Sequence, residues 1–240
     1  MASHQATTRQ PTQYARDLET IGGLSAPSKM PCYSWSLPAS SCKLGSLLAK
    51  QQGTVCSGCY ALKGRYMMPN TQEAMARRLE ALNNTSLDVF VRAFSRVLQH
   101  KLDTYKGGKR SPSWFRWHDS GDLQSEDHLR RIIIIAAVLP DVTFWLPTRE
   151  VGIVRNTLED GWKNFPANLT IRVSVNKVDD EVPDWYLKLH HCPQIRLSGV
   201  HTKDVHQESF LECPAPTQGH HCGDCRACWT SLSPISYELH

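Results

Sequence analysis

The chain has 240 residues, 40% of them hydrophobic and 21% charged. That supplies enough apolar material for one large domain with a real core and excludes wholesale disorder. A net charge of +4 is mildly basic, which admits a nucleic-acid partner without requiring one.

Residues 1–28 are polar and read as a disordered arm. No apolar stretch there resembles a secretion signal, so a cytoplasmic protein is expected. Lys29 to Tyr66 is rich in Gly, Ser, Pro and Cys, with little periodicity. A helix is predicted over Thr71–Leu82, and Ser86 can cap a second that runs to Leu102. A turn follows over Gly107–Ser113. Trp114–His118 then reads as a strand, and Ser125 caps a helix through Ala137. Its apolar run, Ile132 to Leu139, is too short to cross a membrane, and no membrane partner is expected. Strands are predicted over Val142–Leu146, Leu169–Val175 and Ile195–Ser198, with helical segments over Val151–Leu158 and Pro183–Leu189. This alternation predicts an α/β fold of βαβ units: a small or partial parallel (βα) barrel over 29–205, with a doubly wound open sheet as the alternative. Residues 206–240 are expected to form a Cys-rich metal-binding tail packed on the barrel.

Nine cysteines fall in two groups and two singles. In a reducing compartment, ligation is a better reading than disulfides. The C-terminal group is Cys213, Cys222, Cys225 and Cys228, in a Gly-, Pro- and His-rich stretch with little means of folding untethered. Four thiolates complete a zinc tetrahedron or a 4Fe–4S cubane. The two-residue spacers tilt toward iron, and His220 and His221 leave a mixed zinc site open; four unligated thiols are the bland alternative. The N-terminal group is Cys42, Cys56 and Cys59. Three thiolates can hold a 4Fe–4S cluster and leave one iron for a non-protein ligand. Half a zinc site or a dithiol is the alternative there, and Cys32 is a spare fourth ligand. Cys192 reads as a buried thiol.

Active residues of parallel α/β folds collect where strands end. That rule selects Asp119, Asp122, Arg149, Glu150 and His201 as catalytic candidates. It also selects His118, Ser120, Gly121, Gln124, Thr148 and Ser198 as binding residues for substrate or cofactor. The blander reading makes Asp122 a helix cap and Arg149–Glu150 a surface ion pair.

The segments KMPCYSWSLPASSCKLGS, VCSGCYALKGRY, WFRWHDSGDLQS, FWLPTREVGIVR and CGDCRACW together resemble the phage gene product 88 family. That resemblance implies phage or prophage origin, a barrel-like fold and action in the host cytoplasm. The barrel motifs also resemble radical S-adenosylmethionine enzymes. Cys42, Cys56 and Cys59 would match their cluster cysteines, at wider spacing, and Ser120-Gly121-Asp122 would match the segment that holds the cofactor's amino group. Asp119 to Gln124 and Pro147-Thr148-Arg149 resemble tRNA-guanine transglycosylases and their phage relatives that insert 7-deazaguanine into DNA. The nucleophilic Asp of that family falls at Thr143, so Asp141 or Asp122 would have to serve. The resulting expectation is an iron–sulfur, radical-SAM-like metalloenzyme with 4Fe–4S clusters and S-adenosylmethionine, acting on a nucleic acid or nucleobase. The alternatives are a zinc-containing base transglycosylase and a non-enzymatic metal-stapled adaptor. The segment GGKR, Arg130, Arg131 and seven tryptophans could serve nucleic-acid binding, or could be solvated faces and core.

Overall fold

A computed structural model describes residues 10–162, 165–189, 191–203, 205 and 208–239. Seven parallel strands form one sheet in the order β1-β2-β3-β4-β5-β7-β6. They are β1 (Tyr33–Trp35), β2 (Trp114–Trp117), β3 (Thr143–Thr148), β4 (Leu169–Ser174), β5 (Ile195–His201), β6 (Leu211–Glu212) and β7 (Ile235–Glu238). The register sets Trp35 beside Trp117 and Arg172 beside Arg196. Barrel closure is not observed: β1 and β6 are the two edges, and they do not pair among the described residues.

Among the described residues eight α-helices accompany the sheet: α1 (Gln13–Thr20), α2 (Lys43–Leu48), α3 (Pro69–Asn84), α4 (Leu87–Asp103), α5 (Glu126–Val138), α6 (Val151–Glu159), α7 (Asp184–Leu187) and α8 (Ala227–Thr230). The predicted strands and helices of residues 71–201 are present, with ends moved by a few residues. Ser125 caps α5 as expected, its hydroxyl accepting from the His128 amide at 3.1 Å. Among the described residues no helix is long and apolar enough to cross a membrane.

Strand alternation sends Trp35, Phe115, Trp117, Phe144, Leu146, Ile171 and Val173 into one core with α4 and α5. Phe94 of α4 stacks on Trp117 with ring centroids 4.7 Å apart. The opposite face carries Trp114, Arg116, Trp145, Thr170 and Arg172, and the C-terminal segment covers it. Trp229 of α8 donates its indole N–H to the Phe115 carbonyl at 2.9 Å and packs on Trp145. Every residue of β4 is therefore buried.

Two parts of the chain differ from expectation. Within the stretch read as an arm, Gln13–Thr20 forms α1 against α4, because Tyr14, Leu18 and Ile21 make one apolar stripe; residues 1–9 lie outside the described residues. The stretch read as a tail supplies β6 and β7, so it continues the sheet rather than lying outside it. The tryptophans serve the two cores, either within them or packed against them. Arg130 pairs with Asp160 at 2.7 Å and Arg131 with Asp127 at 2.8 Å, so both are engaged within the fold.

Candidate functional site

The carboxyl ends of β1–β4 carry the N-terminal cysteines. Cys42 precedes α2, and Cys56 and Cys59 sit in a turn closed by the Cys59 amide donating to the Cys56 carbonyl at 3.2 Å. That turn is fastened to the chain beyond β4: the Val55 amide donates to Asn176, and the Val178 amide to Gly53, both at 3.0 Å. Gly45 makes the approach possible. A Cβ there would stand 3.1 Å from the Cys42 Cβ, 3.6 Å from the Cys56 Sγ and 3.7 Å from the Cys42 Sγ. Both sulfurs therefore flank one point on the α2 backbone.

Burial pushes the Cys42 thiol up to about 12, and Asp122, Cys59, Cys56 and Glu150 add to the rise. The Cys56 thiol is raised by burial as well, with Arg149 opposing and Cys59, Asp122 and Glu150 reinforcing. The three cysteines and two carboxylates thus share one electrostatic environment, in which thiolates are costly unless a cation joins them.

Asp122 organises the rim. Its carboxylate accepts from Thr148 Oγ1 at 2.6 Å, the Leu123 amide at 2.7 Å and the Arg149 amide at 2.9 Å. Burial nevertheless raises it to about 6, against those hydrogen bonds. Glu150 Oε1 accepts from the Leu44 amide at 2.8 Å, which ties β3 to the cysteine segment. Gln124 donates to the Asp122 carbonyl at 2.8 Å. At Gly121, φ is +77° and a Cβ would fall 2.6 Å from that of Leu37, so only glycine fits this turn.

Asp119 belongs to a neighbouring network. Its carboxylate accepts from Ser34 at 2.7 Å, from Ser36, and from the Tyr66 hydroxyl at 3.0 Å, while Tyr60 donates to its carbonyl at 2.7 Å. Ser34, Ser36, Tyr60, Tyr66 and Arg116 were not among the expected site residues. Tyr60 directly follows the Cys56–Cys59 turn and Tyr66 lies a short way beyond it, and an arginine amid the tryptophans of WFRWH is the available signal. Burial alone would lower the Arg116 guanidinium; Tyr60, Asp119, Tyr66 and Tyr237 around it raise it instead. His118 and Ser120 are buried behind this network, with both His118 ring nitrogens and the Ser120 hydroxyl lacking a hydrogen-bond partner. The structure does not bring Ser198 and His201 into either network. Ser198 bonds Ser174 at 2.9 Å, and His201 Nδ1 bonds Ser236 at 2.5 Å.

The C-terminal cysteines gather on the second face of the sheet. Burial raises Cys213, Cys222 and Cys228, the last to about 12, and Cys213 raises both others. Cys225 in turn raises Cys213 and Cys222. Cys32, a candidate fourth member of the N-terminal group, lies instead in the field of Cys222. Cys192 is buried in the main core. Arg172 anchors this segment: its guanidinium donates to the carbonyls of Ala227, Cys228, Ser231, Ser233 and Leu197 at 2.8–3.2 Å. Among the described residues no group of three or more His, Cys, Asp or Glu side chains is arranged to hold a metal ion. The expected metal-binding character of both cysteine groups, Cys42, Cys56 and Cys59 as well as the tail, is therefore not shown by their geometry.

No curated protein and no solved structure matches the chain. The resemblances to radical S-adenosylmethionine enzymes and to transglycosylases gain no support from these comparisons. One family model, described as gene product 88, matches residues 3–231.

Proposed function

The chain belongs to the gene product 88 family, and from that premise we propose that it is an iron–sulfur metalloenzyme acting on a nucleic acid or nucleobase. One observation carries the reading: Cys42, Cys56 and Cys59 share one environment with Asp122 and Glu150 at the carboxyl ends of the strands. We read the sheet as part of a (βα) barrel, because β1–β5 follow one another in space and in sequence, all parallel.

By residue type and number, though not by the side-chain arrangement described above, the two cysteine groups suit such clusters. Three cysteines would hold one 4Fe–4S cluster, and Cys213, Cys222, Cys225 and Cys228 would hold a second, closed one. The Cys42 and Cys56 sulfurs lie 3.7 and 3.6 Å from one point beside Gly45, near enough to each other for one group to reach both. A cluster with three protein thiolates supplies one iron able to bind a small molecule, for which S-adenosylmethionine is the candidate.

The surrounding residues have roles of their own. Arg149 Nε is buried and has no hydrogen-bond partner among the described residues, so its guanidinium can receive a carboxylate or phosphate of a bound molecule. Asp122, held near neutrality, can accept or hold a proton at its carboxylate. Tyr60 and Tyr66 fix Asp119 through their hydroxyls.

The test is the electron paramagnetic resonance spectrum of the anaerobically purified, reduced protein with and without S-adenosylmethionine. A cluster signal that shifts on addition, and ceases to shift in Arg149→Ala, is expected. A cluster signal indifferent to the ligand would overturn the open-site reading. Zinc in place of iron would favour the transglycosylase or adaptor.

A further inference from the structure

The connection from α4 to β2 lies at the amino end of the sheet, the opposite end from Cys42, Cys56 and Cys59. With Tyr33 of β1 it forms a groove of about 490 Å³ lined by Lys101, Lys106, Lys109, Arg110 and Tyr105. Four cations line it and no acidic side chain does. The nearby Asp103 at the end of α4 accepts from Gln99 at 2.8 Å. We propose that this groove binds the phosphate backbone of a single-stranded nucleic acid. This assignment stands on the groove alone and does not rest on the metal-centre reading.

Two of the four cations are set in place before any ligand arrives. The Lys101 ammonium lies 5.1 Å from the Tyr33 ring centre and 5.5 Å from that of Tyr14. Arg110 donates to the Ala26 carbonyl at 3.2 Å, and its buried Nε has no hydrogen-bond partner. That leaves a donor to be satisfied by an incoming acceptor. Lys106 and Lys109 are exposed and form no ion pair among the described residues. The Tyr105 hydroxyl donates to the Gly108 carbonyl at 2.9 Å, which holds a 41% exposed ring at the groove wall. An exposed aromatic among backbone-tracking cations is how single strands are bound without base readout. A lipid surface is a poorer match, because the site is concave and its exposed lining carries no aliphatic side chain.

The test uses the full chain and a fluorescein-labelled oligothymidylate, followed by anisotropy across a salt series. Saturable binding is expected, with log affinity falling against log salt at a slope of up to about −3 for four phosphates. Lys106→Ala/Lys109→Ala should weaken binding at least tenfold and flatten the slope by roughly 1.4. Arg155→Ala/Lys188→Ala, which removes equal charge elsewhere, should bind as the parent does. Failure to bind at about 50 mM salt, or equal loss in both double variants, would overturn the proposal. So would binding to phosphatidylserine vesicles with none to the oligonucleotide.

Discussion

Gly45 and Arg172 give opposite lessons about what a single residue does. Gly45 lies inside α2, where intrinsic helix propensity favours alanine by roughly 1 kcal/mol. Its missing side chain is nonetheless the space beside Cys42 and Cys56. Gly45→Ala should therefore cut metal loading at the N-terminal site, lowering total iron by roughly half if two clusters are held. Unchanged iron with a higher melting temperature would show that only helix propensity matters there. Arg172 is wholly buried, and its guanidinium meets five main-chain carbonyls. Arg172→Met would strand those acceptors and should cost on the order of 3 kcal/mol or more in urea denaturation; a loss below about 0.5 kcal/mol would refute the anchoring role. The cysteine motifs were legible because their spacing carries chemistry by itself. Arg172 was not: in LTIRVS the alternation assigns Thr170, Arg172 and Ser174 to a solvent face, and nothing local reveals that a distant segment covers it.

Among the elements, β2 ends under strain and α5 packs against it. His118 has φ of +51°, a region that costs a non-glycine residue about 1 kcal/mol or more. Its ring lies 5.1 Å from that of His128 on α5. Burial lowers His118 to about 3, and Arg116 adds to the fall. His128 is lowered well below its ordinary value, again mainly by burial. Unfolded histidines take up protons below about pH 6.5, and these two do not while folded. Stability should hold above that pH and fall steadily as pH drops toward 3. Asp122 works in the opposite sense, since its folded value of about 6 is raised, but it is one group against two and is displaced less than His118. Urea midpoints measured from pH 8 to 4.5 should show the decline, and His118→Asn, which tolerates the same backbone, should reduce it. A flat profile would mean that the histidines are not held neutral. The periodic elements β2–β5 and α3–α6 were readable in the sequence because each carries its own repeat of apolar residues. The short ones were harder: α1 has only the stripe Tyr14, Leu18 and Ile21, while β6 and β7 lie within a segment dominated by cysteine, glycine and proline.

At the scale of the whole molecule, the C-terminal segment is part of the fold as well as a candidate metal site. It contributes β6, β7 and α8, packs Trp229 and Tyr237 against Trp145, and covers the polar face of the central strands. Truncation before Phe210 should therefore abolish cooperative unfolding instead of leaving a stable smaller domain, as far-ultraviolet circular dichroism on heating would report. A sharp melt in the truncated chain would contradict that dependence. On the proposed function, the two cysteine groups would be separate metal centres, one open to a small molecule and one closed. The direct measurement is metal content and visible absorption of protein purified without oxygen, for the native chain, Cys56→Ala and Cys225→Ala. About eight irons per chain with broad iron–sulfur absorption are expected, with loss of about half in each variant. Zinc alone, or no metal at either group, would contradict the proposal.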